Sequence, residues 1–301
     1  MIPDSVRERD LVGYGPIPPA FTWPDRATVA VNLVLVYEEG SESSVLWGDD
    51  RNEGWGEYAD PGVQPPQRDR GTEAHYEYGS RAGVWRLARI FDEAGVPVTV
   101  SAAAVALELN PAVPAWMQEH DHDLMGHGWR WIQLWGLTRD EEREHLRRAI
   151  ESYERTLGQR PLGWNCPSWP SEATRELLVE EGGFLYDCDA YNDDLPYWTM
   201  VGPKKHLVIP YSLATNDGKF NWGAFGSPAD FEKYLKANFD RLYKEGATHP
   251  KMMSIGLHMR LVGHPGRAQA LANFIAYAKS HPNVWFARRI DIARHWMAHH
   301  A

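Results

Sequence analysis

The chain has 301 residues, 43% hydrophobic and 24% charged, enough to bury one large core and too apolar for a disordered segment. A formal net charge of -10 argues against a nucleic-acid partner and against an anionic membrane surface. Two cysteines are too few for a disulfide framework, and no run reaches the roughly 18 apolar residues of a membrane span.

Residues 1–27, rich in Pro and Gly, read as an arm laid over a single catalytic domain that spans 1–301. The opening MIPDSVRERDLVGYG has neither a basic start nor an apolar stretch, so no secretory leader is expected and a cytoplasmic setting is. Thr28–Tyr37 is nearly all apolar, as a strand covered on both faces should be. A Gly-, Pro-, Asp- and Trp-dense insertion follows, from about 40 to 72, of the kind that forms a lid, a binding loop or an interface arm.

From Gly79 a regular alternation predicts a helix over 81–94 closed by Gly95, a strand over 96–102, a helix over 111–120 and a strand over 123–126. Thr138 and Glu141 form a T-x-x-E capping box that starts a long helix, and Gly158 stops it. Strands are predicted at 162–164, 184–187, 207–211, 251–257 and 283–287. Helices are predicted at 171–181, 228–245, 266–280 and 290–299. Strand alternating with helix means parallel βαβ units, and seven or eight strands favour an α/β barrel, closed or nearly so, over an open doubly wound sheet. No glycine-rich phosphate loop is present.

Polar groups stand where the apolar runs end. Glu38 and Glu39 end VNLVLVY, His127 follows HDLMG, Asn165 and Cys166 end LGW, Asp187 and Asp189 end GFLY, and His258 ends MMSIGL. In an α/β barrel the carboxyl ends of the strands face one way, so these side chains are expected around one cleft. Side chains alternate along a strand, so only one of Glu38 and Glu39 should look into it. The crowded carboxylates of YDCDAYNDDLPYW need partners, for which Arg260 and Arg288 are candidates. Cys166 reads as a small buried thiol rather than a nucleophile.

Those strand ends, in order, resemble the motif series of the polysaccharide deacetylase superfamily. VYEEG stands where that family has an aspartate pair, GHGWRW where it has two metal-binding histidines, WNCP where it has an Arg-Pro segment, DCDAYNDD at its Asp-bearing motif, and GLH at its last histidine. The departures are Glu38-Glu39 for the aspartates and Trp131 for the second histidine. The stretches RDLVGYG, YEYGSRAGVWRL, TND and RRIDIARHW carry the resemblance over most of the chain, towards the metal-free allantoinase-like branch and the related cyclic imide hydrolases. It implies a distorted (β/α) barrel, a homotetramer and a small-molecule substrate. No cofactor is expected; zinc on Glu39, His127 and His258 is the alternative.

The leading reading is hydrolysis of a C–N bond in a small cyclic amide. Glu38 or Glu39 would be the base, His127 and His258 would polarise the carbonyl or protonate the leaving nitrogen, and Trp131, Asn165, Cys166, Asp187, Asp189 and Arg260 would contact the substrate. The alternatives are N-deacetylation of an amino sugar and a non-catalytic binding protein with Trp131, Trp135 and Trp169 as stacking platforms.

Overall fold

The computed structural model describes residues 9–300, so the first eight residues of the expected N-terminal arm lie outside the described residues. Residues 9–28 carry one turn of 3-10 helix, Pro24–Arg26, before the first strand.

Among the described residues nine strands form one sheet: β1 (Val29–Tyr37), β2 (Thr99–Ala102), β3 (Asp123–Gly126), β4 (Gly163–Trp164), β5 (Tyr186–Asp187), β6 (Tyr197–Val201), β7 (Lys204–Val208), β8 (Lys251–His258) and β9 (Val284–Phe286). Their order is β6-β7-β5-β4-β3-β2-β1-β8, with β9 on β1. β8 pairs with β1 from Val29 to Val36, so β9 (at Val29–Val31) and β2 (at Val34–Tyr37) share the other edge. Every pairing is parallel except β6 with β7. The eight parallel strands curl into the expected distorted (β/α) barrel, left open between β7 and β8. Arg289, fully buried, spans that seam by donating to the carbonyls of Ile209 and Pro210 and to Ser254.

The helices are α1 (Arg70–Tyr78), α2 (Val84–Ala94), α3 (Ala104–Leu109), α4 (Ala112–Glu119), α5 (Arg139–Leu157), α6 (Thr174–Glu181), α7 (Pro228–Gly246), α8 (Pro265–Lys279) and α9 (Arg289–His299). The Thr138–Glu141 box caps α5 as expected, and Gly158 ends it at φ 67°. Two expectations need correction. The helical run starts at Arg70, capped by Asp69, and reaches α2 through one wide turn at Gly79–Gly83. Its glycines imitate a loop, but Gly83 lies against the Met259 backbone where no side chain fits. β6 was not anticipated, because its residues are only half-buried and show no clean alternation.

Alternation along the strands decides what reaches the barrel mouth. On β1, Val31, Leu33, Leu35 and Tyr37 pack outward among the helices, while Ala30, Val34 and Val36 pack inside the barrel. Met253, Ile255 and Leu257 of β8 face outward and Met252 inward. In phase with the inward sets come Glu38 after β1 and His258 at the end of β8.

Candidate active site

Glu38 occupies the floor of a cavity of about 370 Å³ at the barrel mouth. Its Oε1 lies 3.2 Å from His127 Nε2 and 3.9 Å from His258 Nε2, and its Oε2 accepts from Arg260 Nη2 at 2.5 Å. Burial opposes ionisation here, but the Arg260 guanidinium and the two imidazoles outweigh it and hold the Glu38 carboxyl at about 2. Arg260 is itself fully buried, its guanidinium carbon 4.1 Å from the Tyr76 ring centre and 4.7 Å from that of Trp55. Aromatic faces and two carboxylates thus replace the water that this cation has lost.

Hydrogen bonds fix the tautomers. His127 Nδ1 sits 2.8 Å from the Asn165 carbonyl, which can only accept, so Nδ1 carries hydrogen. His127 Nε2 then faces the Glu38 carboxylate oxygen at 3.2 Å. His258 donates from Nδ1 to Asp217 Oδ1 at 2.6 Å, and its backbone N–H donates to Asp217 Oδ2 at 2.7 Å. That leaves His258 Nε2 without a hydrogen-bond partner among the described residues, at the cavity wall and 3.9 Å from Glu38 Oε1. Asp217 is fully buried and also accepts from the Val262 N–H at 3.1 Å. It sits in the Asp217–Phe220 turn, in no strand, so reading strand ends passes over it. Its only signal was the TND triplet.

The expected site residues divide into two groups. Glu38, His127, Trp131, Asn165, Cys166 and His258 line the cavity. Glu39, Asp187, Asp189 and Arg260 do not, which corrects their expected roles. Glu39 points away, towards Gly79, and its Oε1 meets Arg260 Nη1 at 3.4 Å. Burial and the neighbouring Glu38 charge push its carboxyl up to about 7 against the pull of Arg260. Asp187, out of phase with the inward Tyr186 and Cys188, binds Arg175 at 2.6 Å and His206 at 3.0 Å. Asp189 braces the wall from behind by accepting from Asn165 Nδ2 at 3.1 Å and the Cys166 N–H at 2.7 Å. Its carboxyl is pushed up to about 8 by burial and then by Asp187.

Neither Arg260 nor Arg288 serves the carboxylate cluster, since Arg288 pairs with Asp121 and Asp291. Trp135 is exposed and absent from the cavity wall. Cys166 is buried, and burial raises its thiol well above the ordinary value, as expected of an inert group. The insertion adds residues that sequence reasoning did not single out: Arg51, Glu53 and Trp55 all line the cavity. Tyr211 and Asn216 complete the wall through a 3.0 Å hydrogen bond, and Gly256 must lack a side chain for both to fit.

The profile of the polysaccharide deacetylase family matches residues 68–182. A Schizosaccharomyces pombe protein assigned to the polysaccharide deacetylases is 36% identical over 97% of this chain and 98% of its own length. The chain belongs to the polysaccharide deacetylase family. A crystal structure of PuuE allantoinase is 48% identical, covering 97% of this chain and 98% of the other, with a TM-score of 0.93. A Pseudomonas aeruginosa PAO1 protein assigned as a polysaccharide deacetylase is 49% identical over the same shares, with a TM-score of 0.92.

For a member of the polysaccharide deacetylase family the remaining question is whether these residues suit a divalent metal. They do not. Glu39 faces away from the two histidines, so Glu39, His127 and His258 cannot close on one ion. Glu38 does converge with them, but Arg260 holds its second oxygen, and Trp131 brings no donor atom. Among the described residues no group of three His, Cys, Asp or Glu side chains has metal-holding geometry.

Proposed function

We propose that this protein hydrolyses a C–N bond in a small cyclic amide, opening a hydantoin-, ureide- or imide-type ring. The observation that carries the reading is the free Nε2 of His258, oriented by Asp217 and set beside the Glu38–His127 pair on the cavity floor. A carboxyl held at about 2 is a poor base near neutrality, so Glu38 is assigned to charge balance and the base to His258.

His258 Nε2 takes a proton from water as the oxygen attacks the ring carbonyl carbon. The carbonyl electrons move to oxygen, and His127, which lines the same cavity, is assigned to stabilise the developing charge. Collapse restores the carbonyl, breaks the C–N bond, and returns the His258 proton to the leaving nitrogen. One water is consumed; one carboxyl and one N–H are formed. The 48% identity to an allantoinase across nearly the whole chain supports this reading.

Deacetylation of an amino sugar is the second reading, favoured by the assignments of the yeast and Pseudomonas relatives. Allantoin, hydantoins, cyclic imides and N-acetylated amino sugars should be offered to the purified protein while ring opening and acetate release are followed. Ring opening supports the first reading; acetate release without ring opening overturns it. Homotetrameric assembly and a cytoplasmic setting remain part of the proposal, checked by light scattering and by fractionation. Among the described residues no helix is long and apolar enough to cross a membrane.

A further inference from the structure

The outer part of the cavity has a chemistry that the hydrolytic floor does not use. Its wall is apolar and aromatic: Trp55, Trp131, Trp169, Tyr191, Leu213 and Trp222. Trp169 is 49% exposed and Trp222 55%, and indoles left half in water around a concave site signal ligand contact. Trp169 stands edge-on to Tyr191 at 5.7 Å, and Trp55 lies tilted against Trp131 at 5.8 Å.

The segment that presents Trp169 is stiff. Pro167 and Pro170 flank it, and Ser168 between them adopts φ 66°, a left-handed conformation a serine holds only when its surroundings impose it.

Several polar groups of the wall are already engaged. Asn216 donates to Tyr211 Oη at 3.0 Å and accepts from the Gly218 N–H at 2.7 Å. Glu53 accepts from the Gly54 and Trp55 N–H groups, each at 2.9 Å. Arg51 donates to Gln133 at 3.1 Å. A flat apolar substituent on a bound ring would meet more matching surface along the six apolar and aromatic side chains than a polar one would.

We infer that the site selects cyclic amides whose ring carries a flat apolar substituent, such as a benzyl or aryl group, over those carrying a polar ureido chain. The inference rests on the ring-opening reading for the ring itself, but its evidence is the wall.

The test measures binding separately from turnover, using the full chain with hydantoin, 5-benzylhydantoin and allantoin in calorimetry and in ring-opening assays. 5-Benzylhydantoin should bind at least about tenfold more tightly than either other ligand, the discrimination a well-packed apolar pocket provides. Trp169→Ala and Trp222→Ala, both at half-exposed positions, should each shrink that preference. Equal or tighter binding of allantoin, no binding of any of the three, or an unchanged preference in both variants overturns the inference. Preferential binding of 5-benzylhydantoin without ring opening sustains the apolar subsite and removes the hydrolytic reading. Ring opening fastest on tightly bound allantoin does the reverse.

Discussion

Asp217 holds His258 twice, through the imidazole Nδ1–H and through the backbone N–H of the same residue. One carboxylate therefore sets both the tautomer of the ring and its position at the end of β8. Asp217→Asn should keep the fold and lower kcat by about a hundredfold or more, because the amide can stabilise the wrong tautomer. His258→Ala should abolish turnover. Steady-state kinetics on the substrate found in the ring-opening panel checks both, and wild-type rates in either variant would remove His258 as the base.

Glu38 and Arg260 form a buried pair whose halves are worth little apart. Arg260→Met leaves Glu38 and Glu39 with an uncompensated charge and should cost about 3–5 kcal/mol of stability, measured by urea denaturation. Glu38→Gln leaves Arg260 only its 3.4 Å contact with Glu39 and should cost stability as well as activity. The double variant should regain much of the stability and none of the activity. Additive losses in the double variant would mean that the two do not depend on each other.

The contribution of Glu39 to stability should fall as pH rises from about 4.5 towards 7. The folded Glu39 carboxyl is raised from 4.5 to about 7, so the native state keeps a proton that the unfolded chain has released. That contribution is fully present below the unfolded value and is lost as pH rises through the folded one. Glu42, raised mainly by burial to about 7, acts in the same direction. Glu39→Gln should flatten the slope of Tm against pH over this interval, and an unchanged slope would show that Glu39 is ionised in the native protein.

Chelators should leave the rate unchanged, and metal analysis of purified protein should find zinc well below one equivalent. The reason lies in the donors, since Arg260 occupies one oxygen of Glu38 and Glu39 faces away. Stoichiometric zinc with a chelator-sensitive rate would overturn this account and favour the deacetylation reading.

Much of this protein was legible in the order of its residues. The eight parallel strands and the capped helix α5 follow from alternation of apolar runs and from local capping chemistry, both short-range properties. That one of Glu38 and Glu39 would stand beside His127 and His258 was legible too, whereas the choice of Glu38 came only with the phase of β1. The helix α1 was not, because the glycines at 79 and 83 answer to close packing against Met259 rather than to a turn.

What the residue order determined by itself was that a glutamate ending β1, His127 and His258 would stand at strand ends on the mouth of the barrel, since that needs only strand period and strand order. Which of them would meet was decided by tertiary structure alone. Arg260, two residues beyond His258, is drawn beneath Glu38 and Glu39 rather than to the aspartate cluster, and Asp217 reaches His258 across 41 residues of chain. A buried charge must find its counter-charge wherever the fold brings one, and that search runs through space, with no period in the sequence to record it.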